Sequence, residues 1–140
     1  MQRLTLRGAR EDAHLALASA QRTARTSALS SATTIWEQGL REDLAEFTTL
    51  AYEVETAFKL AMETSTPWPG EHMPQVIQVE VLFNRTVLRL DKDVPTQRAL
   101  VESLKAMRDE KTGLWVDRRD AVVDAAVEAF RAKWVDVLEG

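Results

Sequence analysis

Apolar residues in the first half of the chain recur in alternating steps of three and four: Trp36, Leu40, Leu44, Phe47, Ala51, Val54, Phe58 and Ala61. This is the spacing of one face of an α-helix. Upstream the same rhythm continues in smaller residues through Leu17, Ala20, Ala24, Ala28, Ala32 and Ile35. The pattern therefore predicts one long helix from about Ala9 to about Thr64. Its weakest part is the Ser/Thr-rich stretch at 26–34, where side chains compete for backbone hydrogen bonds. Two clusters of helix-breaking residues divide what remains, TSTPWPGEHMP at 64–74, with three prolines and a glycine, and DKDVP at 91–95, with a softer break at Lys111 to Gly113.

The segment from Gln75 to Leu90 is ambiguous. VIQVEVLF alternates and is rich in β-branched residues, as a strand would be. Yet Val76, Val79, Phe83, Val87 and Leu90 share one helical face, and no second strand exists to pair with it. An isolated strand would leave its backbone groups unsatisfied, so helix is expected. Asp93 ahead of Val94 and Pro95 reads as the N-cap of a third helix ending near Asp109. A fourth is expected from about Trp115 to Leu138, with Trp115, Val123, Val127, Phe130, Trp134 and Val137 facing inward. The fold class is thus all-α: an elongated four-helix bundle in which a long N-terminal helix packs with three shorter ones. Residues 1–35 form an extended helical arm and 36–140 the bundle domain.

Lengths sharpen this. At about 1.5 Å per residue the first helix spans roughly 80 Å, against about 22 to 36 Å for each later one. The later helices cannot cover it. Packing should fall on residues 36–61, leaving Leu17, Ala20, Ala24, Ala28 and Ala32 as a face for a second copy of the chain. A homo-oligomer is expected.

Composition narrows the chemistry. The chain has no cysteine and only two histidines, which excludes disulfides and thiolate metal sites and leaves little for imidazole chemistry. No cofactor or metal is expected. A net charge of −4 argues against a broad phosphate-binding surface, so nucleic acid is not a favoured partner. The charge is segregated, however. Arg3, Arg7, Arg10, Arg22 and Arg25 outnumber Glu11 and Asp12 before residue 35, whereas Glu37, Glu42, Asp43, Glu46, Glu53, Glu55 and Glu63 face only Arg41 and Lys59 beyond it. No run reaches the roughly 20 apolar residues of a membrane span, and no signal peptide is evident. A cytoplasmic location is expected.

The densest stretch is WEQGLREDLAEF at 36–47. Trp36, Leu40, Leu44 and Phe47 lie on one stripe with charges beside it, as a core seam with a solvated flank would. Arg41 flanks the seam, where its stem can pack while the guanidinium meets a carboxylate, so a structural clamp is its expected role. Trp36, Phe47, Phe83, Phe130 and Trp134 are the expected main core.

This stretch resembles the W-x-x-x-L-R-x-x-[IL]-A-x-F signature of a group of uncharacterised bacterial helical proteins associated with membranes. NRTVLRLDKDVPTQRALVESL at 84–104 resembles the proline-containing segment of that group with its following helix, and AFRAKWVDV at 129–137 its closing segment. The resemblance covers roughly residues 31–138. It implies a helical protein with a membrane helix ahead of the long helix. Here Ala32-Thr33-Thr34 replaces the usual F-R-Q, and the membrane helix is absent, which implies either a chain beginning past it or a soluble relative. Arg3, Arg7 and Arg10 on one face would suit a segment at the cytoplasmic face of the inner membrane. A solvated basic helix end reads equally well.

Two weaker candidates complete the list. Arg7 and His14 fit the loose R-x(4-6)-H spacing of HEPN ribonucleases, in which a helical Arg and His act on an RNA 2′-hydroxyl and phosphate, although Gly8 stands where that family has a polar residue. A chance pair in an Arg-rich helix is the commoner source of such a match. Glu71 and His72 in the Pro-rich loop lack converging partners for a metal. Trp68 between two prolines reads as an anchor folding onto the bundle end.

Overall fold

The computed structural model describes residues 2–110 and 113–139, with side chains from Arg7 onward. Among them are four α-helices and no strand: α1 (Gln2–Glu63), α2 (Met73–Leu88), α3 (Pro95–Asp109) and α4 (Trp115–Glu139), with a 3-10 turn (Gly70–His72) before α2. The β-branched run of α2 is helical, as its single-faced apolar pattern requires.

The helix α1 runs unbroken through the Ser/Thr-rich stretch. Thr26, Thr33 and Thr34 donate their hydroxyls to the carbonyls of Arg22, Leu29 and Ser30 at 3.0, 2.8 and 3.0 Å, four residues back. Each of these threonine hydroxyls, which could have competed with the helix, is thereby satisfied inside it. The helix stops with Ser65 in the left-handed region at φ 52°. The N–H of Thr66 donates to Ala61 O at 2.9 Å and that of Ser65 to Met62 O at 3.4 Å, the paired bonds of a Schellman cap. Pro67 prevents continuation. Trp68 then folds back edge-on to Phe58, ring centroids 5.4 Å apart, and stacks on His72.

Short connections make α2, α3 and α4 successive antiparallel neighbours. Phe47 meets Phe83 of α2, while Tyr52 meets Trp115 and Trp36 meets Phe130 of α4, so both of these helices run antiparallel to α1. The core holds Leu40, Phe47, Leu100, Leu104 and Ala129, all at 0% exposure, with Val101, Met107 and Val122 beside them. Arg108 seals one side of it. Its guanidinium lies 4.1 Å over the Phe83 ring and is held above its ordinary pKa by the hydrogen bond to Asp109, with burial opposing and Glu80 reinforcing the shift.

Three expectations need correction. Val123 and Val127 face outward, and the inward line of α4 is Arg118, Val122, Ala126, Ala129, Phe130 and Val137. The valines are the more apolar residues, but α4 packs most extensively on α3. Alanines at that seam let the helices approach. Trp134 and Trp36 are half-buried at the core's edge, because each indole N–H must reach an acceptor there. Asp93 is not the N-cap of α3. Val94 occupies that position, and Gln97 instead reaches back to accept the Asp91 N–H at 2.7 Å while Asp91 Oδ1 accepts the Asp93 N–H at 2.9 Å.

Truncating Phe47 to Ala should cost about 3 to 5 kcal/mol in equilibrium denaturation, as for other enclosed aromatic rings. Trp134→Ala should cost clearly less, since part of its ring is already in water.

Candidate functional site

The stretch 36–47 is the point where α1 grips the other helices. Trp36 donates its indole N–H to the carbonyl of Arg89, just past the end of α2, at 2.8 Å. Arg89 in turn sends Nε to Asp43 Oδ2 at 2.6 Å, and Arg85, one turn earlier on α2, reaches the other oxygen of Asp43 at 3.1 Å and Glu46 at 3.0 Å. Asp43 is 4% exposed. A buried carboxylate with a guanidinium on each oxygen is neutralised and hydrogen-bonded at once.

Gly39 explains how Arg89 gets there. A Cβ at this position would lie 2.5 Å from Arg89 Nη1 and 2.9 Å from Cζ. The glycine is an open slot on the α1 surface through which the guanidinium passes to Asp43, and this close approach outweighs the helix-propensity cost of glycine.

On the α4 side, Glu37 accepts the Trp134 indole N–H at 3.3 Å and the Arg41 guanidinium at 3.1 Å. Arg41 lies 4.6 Å over the Phe130 ring, and Trp36 meets the same ring edge-on at 5.8 Å. Arg41 therefore acts as a packing cation, with its carboxylate one turn earlier on its own helix. It is largely exposed, and the buried clamp belongs to Asp43 with Arg85 and Arg89. A second buried pair, Arg118 with Glu55, ties the start of α4 to α1 and is joined by Lys59 at 3.9 Å from Glu55.

Sequence reasoning missed Gly39, Asp43, Arg85, Arg89, Glu55 and Arg118. A signal was present: Asp43 and Glu46 are three apart on α1, Arg85 and Arg89 four apart at the end of α2, and Gly39 is an isolated glycine inside a helix. Nothing in the sequence sets the register that brings them together.

The residues singled out for chemistry are not assembled. Arg7 and His14 lie on the open surface of α1, Arg7 paired only loosely with Glu11 at 3.6 Å, along a shallow groove open to solvent that they line with Arg10, Glu11 and Leu15. His72 sits against Trp68 and 3.6 Å from Glu71. Among the described residues no three His, Asp or Glu side chains converge as a metal site needs. A groove of about 870 Å³, open to solvent, lies between α1 and the start of α4, lined by Tyr52, Glu53, Lys59, Trp115 and Arg119 among others. Leu17, Ala20, Ala24, Ala28 and Ala32 are all exposed, and from Arg7 to Ala32 no residue is buried. No described helix is long and apolar enough to cross a membrane.

Compared with models of known families, with curated proteins and with solved structures, the chain matches none.

Two substitutions separate the clamp from its surroundings. Gly39→Ala should displace the Arg89 guanidinium from Asp43, which keeps only Arg85, and cost about 1 to 3 kcal/mol, and Arg118→Ala about 3 to 5 kcal/mol, because it leaves the buried Glu55 without its guanidinium. Arg41→Ala should cost under about 1 kcal/mol, as an exposed pair does. Urea denaturation of the three variants gives the ranking.

Proposed function

We propose that the chain is a non-enzymatic helical self-association domain, in which the bundle fixes the root of a long helix and residues 10–35 of that helix pair with another copy. The observation that carries this reading is the bare arm. Residues 7–32 are helical yet none is buried, and they present Leu17 at 57% and Leu29 at 42% exposure. A lone helix of this composition is marginal in water, so its order calls for a second surface along it. Alanines at 20, 24, 28 and 32 would allow close approach of another helix, in a coiled-coil-like seam. The buried charges of the clamp support the same reading, since they hold helices together and none is poised over a cavity.

A second reading, compatible with bacterial origin and drawn from the resemblance, places the N-terminus near the cytoplasmic face of a membrane. The exposed Arg7 and Arg10 favour it. Co-sedimentation with anionic vesicles, lost on Arg7→Glu with Arg10→Glu, would support it, and no binding at low salt would sink it. The RNA-cleaving alternative requires Arg7 and His14 to be enclosed by a second copy, and RNA cleavage abolished by His14→Ala would favour it.

Light scattering after size exclusion tests the main proposal. The full chain should have a mass that is a multiple of the monomer, and a chain starting at Ser30 should be monomeric. A monomeric full chain whose arm amides nonetheless resist exchange would defeat it.

A further inference from the structure

The outward face of α1 carries opposite charges at its two ends. Positions 10, 13, 17, 20, 24, 28, 31, 35, 38 and 42 follow one another in steps of three and four and so share a face. That face is exposed along its whole length, including Ile35 at 70%, Gln38 and Glu42, where α1 is already part of the bundle. It lies on the side away from the core line of Leu40, Leu44 and Phe47. Arg10 stands at its beginning and Glu42 at its far end, both exposed, with a mostly apolar seam from Ala13 to Ile35 between them.

We infer that two copies pair antiparallel along this face, about a two-fold axis crossing each helix at Thr26. The inference rests on the self-association proposed above and adds its direction and register. Centred there, Leu17 lies opposite Ile35 of the second copy and Ala24 opposite Ala28, while Ala20 and Ala13 fall within one position of Ser31 and Gln38. The same register sets Arg10 opposite Glu42 at each end of the pair. An in-register parallel pair would instead set Arg10 on Arg10 and Glu42 on Glu42, like charges at both ends of the seam. A parallel pair staggered to match the charges would not close and would grow into open-ended assemblies. The antiparallel pair alone satisfies the charges and closes. Since the face points away from the core, the two bundles project on opposite sides of the paired helices and do not collide.

Charge exchange and cross-linking test it on the full chain. Arg10→Glu sets carboxylates against each other at both ends of the dimer and should weaken it roughly tenfold. Glu42→Arg should do the same, and the double variant should return to within about threefold of the parent. The chain has no cysteine, so introduced thiols report without background. An equimolar mixture of Ala24→Cys and Ala28→Cys chains should form a disulfide-linked dimer under mild oxidation. Each variant alone should not, because residue 24 and its counterpart are offset by about 6 Å along the axis, which takes their Cα atoms beyond the roughly 7 Å a disulfide can bridge. Self-cross-linking of either variant alone, or a dimer that the charge exchange fails to restore, overturns the antiparallel register while leaving self-association standing. A mass that climbs steadily with concentration overturns it in favour of the staggered array. A strictly monomeric parent removes both this inference and the reading beneath it.

Discussion

The bundle depends on a carboxylate that cannot be buried alone. Asp43 sits within the α1–α2 contact at a position that desolvates it, and two guanidinium groups must be delivered to it from α2. The rest follows from that delivery. Gly39 exists to let one guanidinium through. Arg89, held by its side chain, offers its backbone carbonyl to Trp36, and Trp36 in turn provides an edge for Phe130 of α4. Electrostatic satisfaction of one residue thus orders three helices. The apolar core beside it supplies most of the driving force but is tolerant of sliding, whereas paired charges accept one register.

The helices were legible because their apolar residues fall into runs bounded by prolines, and proline acts locally. The α1–α2 break around Pro67 to Pro74 and the start of α3 at Pro95 both follow from it. Even α2, whose valines and isoleucine favour a strand locally, was decided by face and by the lack of a partner strand. The face of α4 was not legible in the same way. Hydrophobicity ranks valine above alanine, but the choice between Val123 and Ala126 turned on how close α3 comes, which is a property of two helices together.

The clamp was half legible for a related reason. Trp36, Leu40 and Phe47 could be placed on the core side from spacing alone, and Arg41 was the conspicuous cation beside them. Arg41 is conspicuous because it is near in sequence. Arg85 and Arg89, which reach Asp43, lie more than forty residues away, and only the turn through Trp68 brings them alongside. Long-range ion pairs leave no periodicity, so the isolated Gly39 and the spacings of Asp43 with Glu46 and Arg85 with Arg89 were their local traces.

The threonine back-bonds that carry α1 through residues 26–34 make the arm and the bundle one continuous rod. Position along that rod is also direction around it, at about 100° per residue. Between the outward seam at Ala24 and Ala28 and the inward grip at Asp43, no loop exists to absorb a change of phase. A single residue inserted near Ser31 would leave every contact of the bundle in place, yet turn Leu17, Ala20, Ala24 and Ala28 relative to it by more than a quarter of a revolution. The spacing between the two halves of α1 is therefore an angular setting, and the length of a polar, solvent-washed segment carries information that its side chains do not.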